Sequence, residues 1–306
     1  MSLEERIKNY IKESYYSVKD RLEDIFREFD INEKYIENFI AIYKFGNEFK
    51  EYNITKNEYK TINLDLLLKN IYKDLDDKIT VEKRNSNLYI IIGDGYLDKA
   101  INNQTRPLEI VMLHEILHII LREKIPITHP SAWVDNYEFY IYKNLNIKRI
   151  LMYIGELFTE IFTYLIYRMK GDKKSIDKLN KYVQSRIKDL KERIDLYLLK
   201  YKEFEESNDK QDRKRISEEL YKIGKKLGYD IPYVLGLFLA EELYKRYGNE
   251  SIKILKERLI EAQKYYEINK RTPEITEIID KDIFNEARNN LYKILGKEAV
   301  DILSRE

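Results

Sequence analysis

Residues 113 to 120 read LHEILHII, and they place His114, Glu115 and His118 inside a run otherwise made of leucine and isoleucine. The chain holds only 3 histidines, and two of them stand here, four positions apart. On a helix, residues i and i+4 project the same way about one turn apart, which suits two positions of a tetrahedral metal. Glu115 is rotated out of that pair. The pattern is His-Glu-x-x-His, in which the glutamate takes a proton from a water that the metal activates while the metal steadies the developing oxyanion. A histidine on an apolar face is ordinarily a core residue with one hydrogen bond. Here, with 3 histidines in 306 residues, a chance match to the whole pattern has odds of about one in three hundred.

Two histidines do not close such a site; a third protein donor is needed, with one position left for water. His129, Asp135, Glu138, Glu156 and Glu160 are the candidates. Between Ile150 and Tyr167 the only ionisable side chains besides tyrosines are Glu156 and Glu160, set among Leu151, Ile154, Leu157, Phe158, Ile161, Phe162 and Leu165. A carboxylate buried in such a helix is costly unless it is paired, hydrogen-bonded or bound to a metal. Glu156 is therefore expected as the third donor, with Glu160 a second carboxylate that holds a ligand histidine by its other nitrogen. The exchange of these two roles stays open, as does simple pairing of both with Lys or Arg. His129 follows His118 by eleven positions in a Pro-flanked loop, without the HxxGxxH spacing of a ligand.

The elements that must position these residues are mostly helical by period. IKNYIKESYYSVKDRLEDIFREF, EKYIENFIAIYKF and LDLLLKNIYKDL all carry apolar residues at helical spacing in the first 75 positions. ITVEK and NLYIII, flanking RNS, read as a β-hairpin that ends at GDG and as the only strands. Pro107 opens the histidine helix and KIPITHP closes it. From about Ser131 onward only helices are expected, the first from about Ile147 to Met169. Ile176, Val183, Leu190, Tyr197 and Phe204 repeat every seven residues, with Ile187, Ile194 and Tyr201 on a second seam. ESNDK is then the turn of an antiparallel helical hairpin, whose other arm carries Ile216, Leu220, Ile223 and Leu227. YDIPYVLGLFLAEEL leads into two or three further helices, broken at RTPE.

Composition bounds the function classes. Apolar residues are 43% and charged residues 36%, enough for a core and a heavily solvated surface. Fifty-five basic against 54 acidic residues leave a formal charge of +1, so there is no global attraction to nucleic acid or to an anionic membrane. With no cysteine, disulfides, thiol nucleophiles and zinc fingers are excluded, and a metal must be held by His, Asp or Glu. ILMYIGELFTEIFTYLIY is long and apolar, but its two glutamates argue for a buried helix over a membrane span. MSLEERIKNY lacks the apolar run of a secretory signal, so a cytoplasmic location is expected.

HEILH, followed by a later helix with GELFTE, resembles the gluzincin branch of zinc metallopeptidases, the thermolysin, neprilysin and aminopeptidase-N group. That group takes its third ligand from a Glu that opens an E-x-x-x-D or similar pair. Glu160 stands where the family often has Asp, and Glu156 follows His118 by 38 positions, a longer gap than in thermolysin or the aminopeptidases. PYVLGLFLAEELYKRYG resembles the aminopeptidase-N segment that begins PY-x-K-G, with Leu235 in place of the Lys. The resemblance implies that Tyr233 donates a hydrogen bond to the tetrahedral oxyanion, with Tyr229 in reserve. It also implies that the strand before the metal helix, NLYIIIGDG, lends its edge to the substrate backbone; an ordinary core strand is the other reading. The Gly-x-Met-Glu-Asn run that anchors a free N-terminus in aminopeptidases is absent.

The expected fold is mainly α with a small β-sheet (α+β), a zincin-like two-lobed arrangement. Residues 1–124 hold helices, the sheet and the HExxH helix. Residues 125–306 form a helical lobe with the third ligand, the hairpin at about 175–227 and the Tyr233 segment. The expected activity is hydrolysis of a peptide or protein substrate with one zinc per chain. Two alternatives stand beside it. One is a binding protein on the same scaffold that docks a partner or forms a homodimer through the hairpin; the other is a metal-dependent hydrolase of a non-peptide substrate.

Overall fold

In the computed structural model, residues 2–73, 75, 78–102, 106–129 and 154–305 are described. Among the described residues the chain is mainly helical with one five-stranded sheet, the expected α+β class. It divides into two compact units, Met1–Ile119 and Ile120–Glu306, and the division falls inside the helix that carries the histidines.

The first unit opens with α1 (Leu3–Glu28). Ser2 Oγ accepts from the Glu5 N–H, and the Glu5 carboxylate accepts from the Ser2 N–H, so both ends of a capping box are made. Ile7, Ile11, Val18, Leu22 and Ile25 form its buried stripe, and the Tyr15 ring packs against Phe39 at 4.8 Å between centroids. Phe39 lies in β1 (Asn38–Phe45), which is followed by β2 (Glu48–Asn53) and β3 (Glu58–Ile62). After α2 (Leu66–Lys73) come β4 (Ile79–Arg84), β5 (Asn87–Ile92) and α3 (Asp94–Ile101). The strand order is β3-β2-β1-β5-β4, with β1 and β5 parallel and the other pairs antiparallel.

Three of these strands correct the sequence reading. The expected hairpin is present as β4 and β5, with Arg84 opposite Asn87. The segment EKYIENFIAIYKF, however, is not an α-helix: after a single 3-10 turn at Glu33–Tyr35 it becomes β1, and β1 to β3 were not expected. Phe39 to Tyr43 are all buried because β1 is an inner strand covered on both faces. Such a strand loses the alternation that marks a half-exposed one, and its apolar run fits either period. The missed signal was the turn. Gly46, at φ +61°, and Asn47 make a two-residue connection between Phe45 and Glu48, where a hairpin favours glycine first.

α4 (Leu108–Lys124) carries the histidines. The second unit continues with α5 (Ile154–Lys170), α6 (Lys173–Glu206) and α7 (Lys210–Tyr247), then α8 (Ser251–Asn269), α9 (Ile275–Ile278), α10 (Lys281–Leu295) and α11 (Lys297–Arg305). α5 is buried nearly all round, so it is the central helix of this unit. Residues 147–153 of the helix expected from Ile147 lie outside the described residues. α6 and α7 are the arms of the expected hairpin, capped by Asp172 and Asp209 side chains. The second arm is longer than expected, because α7 runs unbroken through Pro232 to Tyr247. Among the described residues, no helix is long and apolar enough to cross a membrane.

Asp280 ties the end of α7 to the helices that follow. Its carboxylate accepts from the Tyr247 hydroxyl and pairs with Arg258 at 3.2 Å. The Tyr247 hydrogen bond, opposed by partial burial and aided by Arg258, lowers its pKa from the ordinary 3.8. A carboxylate lowered on folding stabilises the native state fully above its unfolded pKa, and that contribution is lost as pH falls through the folded value. Asp280→Asn is therefore expected to unfold at a lower temperature than the parent at pH 7. The gap should narrow below about pH 4, where the parent loses the contribution; parallel thermal melts across pH check this, and a constant gap would contradict it.

Candidate metal centre

The start of α4 is held from two sides within the first unit. The Tyr96 hydroxyl donates to the Arg106 carbonyl at 2.8 Å, and the Leu108 N–H donates to the Tyr10 hydroxyl at 3.3 Å. The second bond satisfies one of the amides that a helix N-terminus leaves over. Burial pushes the Tyr10 phenol up to about 12, so it stays a neutral cap at any ordinary pH. Two turns further on, His114 is buried, while Glu115 and His118 are half-buried.

The two imidazoles face each other with Nε2 to Nε2 at 3.1 Å, rings nearly perpendicular and centroids 4.8 Å apart. Nitrogens this close share either a proton or a cation. Two ligands of a tetrahedral zinc at about 2.0–2.1 Å stand about 3.3–3.4 Å from each other, so the observed spacing suits a shared ion. A carboxylate joins them. Glu156, in the first turn of α5, brings an oxygen into the group, and the donor atoms of His114, His118 and Glu156 all lie within 4.8 Å of one another. Glu156 is half-buried, so rotation about its own side-chain bonds can close the remaining gap. Two imidazoles and one carboxylate form the donor set of many catalytic zinc sites, with one position left over. The residues therefore fit the metal expected from the sequence.

Glu160, one turn after Glu156, is fully buried. Its Oε2 accepts from the Tyr182 hydroxyl at 2.9 Å, and its Oε1 lies 3.5 Å from Arg186 Nε. Arg186 also donates to the Tyr182 oxygen from Nε at 3.0 Å and from an η-nitrogen at 2.8 Å. Burial opposes the charge on Arg186, but Tyr182, Glu160 and Tyr233 outweigh it and hold its pKa well above the ordinary arginine value. The guanidinium then covers Tyr233, with its carbon 3.5 Å from the ring centroid.

Tyr233 is placed by a close helix contact. A Cβ on Gly236 would meet the Leu157 carbonyl oxygen at 2.9 Å and Glu160 Cβ at 3.0 Å, so the absence of a side chain lets α7 lie against α5. Further along, the Arg168 guanidinium of α5 lies over the Tyr244 ring of α7. Position numbers rise together on the two helices, so they run parallel. Tyr233 precedes Gly236 by three residues, about 4.5 Å at 1.5 Å per residue, which sets it level with the turn of α5 that carries Glu156. Gly236→Ala tests this contact. Alanine favours a helix over glycine by about 1 kcal/mol, yet the obstacle is a backbone oxygen that cannot turn aside. Overpacking of this kind costs about 1–3 kcal/mol, and net destabilisation is expected in denaturant unfolding; a stabilised variant would contradict the contact.

Other expectations fare differently. NLYIIIGDG does not offer an edge: β5 is paired with β1 on one side and β4 on the other, so its backbone amides are engaged in the ladder. It is the ordinary core strand of the second reading. His129 is half-buried after the short turn Pro126–Thr128 and is not in the donor group. Asp135 and Glu138 lie outside the described residues. Tyr229 is half-buried in α7. Tyr182 and Arg186 were missed. The seven-residue seam put Val183 and Ile187 inward, but these are half-buried while Leu179, Tyr182, Arg186 and Leu190 form the buried line. The available signal was Glu160 itself, whose burial in an apolar helix demands a cation, and an arginine aligned with Leu179 and Leu190 could have supplied it.

The fold and the site thus define an α+β chain with a His-His-Glu donor group and a glutamate beside the first histidine. No protein-family model matches the chain, and searches of curated proteins and of solved structures return no match.

Proposed function

We propose that the protein is a zinc-dependent metallopeptidase of the gluzincin kind, acting in the cytoplasm on peptide or protein substrates. The observation that carries this reading is the convergence of His114, His118 and Glu156 within 4.8 Å, on the residues that the HExxH pattern and the buried-carboxylate argument select. Bound by these three, one zinc per chain would supply a Lewis acid for the scissile carbonyl and lower the pKa of the attacking water.

The chain's own residues divide the remaining work. Glu115 stands beside His114 but outside the donor group, and its role in this reading is to take a proton from the attacking water and pass it to the leaving amine. A purely structural site has no use for a carboxylate in that place. Tyr233, level with Glu156, donates its phenol hydrogen to the developing oxyanion. Glu160 steadies the α5 turn that presents Glu156, and the support of a ligand histidine stays part of its proposed role.

A second reading is favoured by one observation. Leu196 and Leu199 on α6 and Tyr221 on α7 are exposed, at 45%, 55% and 70%, which suits a scaffold protein that docks a partner or a second copy through the hairpin. The deciding experiment is mass-spectrometric cleavage profiling of a mixed peptide pool by zinc-loaded protein, with and without chelator and with Glu115→Gln as control. Cuts that vanish with chelator and in the variant establish the peptidase, and their positions separate endopeptidase from aminopeptidase. Zinc held at one per chain without any cut would favour the hairpin reading or a non-peptide substrate.

A further inference from the structure

We infer that Arg186 is a positioning residue for Tyr233: held by Glu160 and Tyr182, its guanidinium clamps the phenol ring that the proposed peptidase reaction aims at the oxyanion. The inference rests on that functional reading for its catalytic consequence, and on geometry alone for the clamp.

The geometry lies within one helical unit. Arg186 is 6% exposed, and Glu160 is 0% exposed. An arginine can be kept in such a place only if its charge and its donors are matched. Glu160 supplies the charge, and the Tyr182 oxygen receives two guanidinium hydrogens. The planar head is therefore fixed from one helix and from its own, and the face left to it is the Tyr233 ring at 3.5 Å. Three helices meet at this level: α5 through Glu160, α6 through Tyr182 and Arg186, and α7 through Tyr233, drawn in by the Gly236 contact.

Two consequences follow for the phenol. A half-buried tyrosine without such a plate can turn about its first side-chain bond; one pressed under a fixed guanidinium keeps a single rotamer, which places the hydroxyl before substrate arrives. A cation over the ring face also draws density from the π-system. The O–H becomes a stronger hydrogen-bond donor, and that matters most when charge develops on the acceptor. Glu160, four residues after the Glu156 donor, thus links the placement of the metal-binding carboxylate to that of the phenol through one buried ion pair.

Arg186→Lys is the discriminating change. Lysine keeps the positive charge for Glu160 but replaces a flat, stacking fork by a compact ammonium. The charge-neutral pair Glu160→Gln with Arg186→Met serves as a second variant, since it removes both charges and leaves neither stranded. Tyr233→3-fluorotyrosine provides a fluorine resonance that reports the ring's surroundings with or without activity. Both variants are expected to shift that resonance. In zinc-loaded protein each should lower kcat about tenfold with KM within about twofold, and adding Tyr233→Phe should lower kcat no further, because the two residues act as one unit. An unmoved resonance in both variants would overturn the clamp. A moved resonance with unchanged kcat, or losses that multiply with Tyr233→Phe, would overturn its catalytic consequence. If the parent holds zinc but cuts no peptide, the peptidase reading falls, and the fluorine measurement alone decides the clamp.

Discussion

Glu115→Gln is expected to lower kcat/KM for peptide hydrolysis by about a thousandfold while the protein still binds one zinc per chain. The proposed donor group is His114, His118 and Glu156, so in that reading the amide replaces no ligand. What it removes is the only function assigned to Glu115, acceptance of a proton from water and its delivery to the leaving amine. Positioned acid–base catalysis contributes about 10²–10⁴ in rate, and a factor of 10³ corresponds to about 4 kcal/mol of transition-state stabilisation. Glu115 is half-buried, and glutamine has nearly the same size, so folding should survive. Metal analysis and initial rates on one preparation separate the outcomes. A fully active variant would remove Glu115 from the mechanism, and a variant that loses both rate and zinc would make it a ligand.

Glu156→Ala should act on the metal first. Loss of a partner outside the ligand shell already costs metal affinity about 10–100-fold, so loss of a direct donor should cost more than about 100-fold. Stability makes this measurable without any assay of activity. A ligand that binds only the folded chain stabilises it by RT ln(1 + [L]/Kd). With free zinc at a hundred times the parent's Kd, the parent gains about 2.7 kcal/mol. A variant weakened a hundredfold gains about 0.4 kcal/mol at the same concentration. Melts of the two without zinc set the baseline from which each zinc-dependent gain is read. Unchanged zinc dependence would move the third donor elsewhere, to Glu160 or to Asp135 or Glu138.

The candidate site was more legible than the sheet. HEILH announces itself because polar residues in an apolar helix need a reason, and the i, i+4 spacing converts two histidines into one pair of neighbouring nitrogens. Glu156 could be selected by the same logic, since an apolar helix with two carboxylates must bring them to cations. β1 was not legible. Phe39 to Tyr43 bury both faces of an inner strand, which erases the period of two that separates strand from helix. The position of β5 was hidden for a related reason: pairing with β1, far from it in sequence, takes away the edge that its own hairpin leaves open.

Taken alone, the sequence determined which side chains a metal could use as donors. The absence of cysteine restricts ligands to His and carboxylate, and the spacing of His114 and His118 acts through a single helix, so no tertiary information is needed to pair them. The α1 and α6 helices follow for the same reason, because their apolar periods and caps are local. The partner of Glu160 was decided only in the tertiary structure. Two glutamates one turn apart share one helix face, yet Glu156 joins the histidines and Glu160 is claimed by Tyr182 and Arg186. That assignment depends on which neighbouring helix supplies a cation at which level, and on Gly236 letting α7 approach closely enough to set Tyr233 there. Such contacts join residues tens of positions apart, and no local period encodes them.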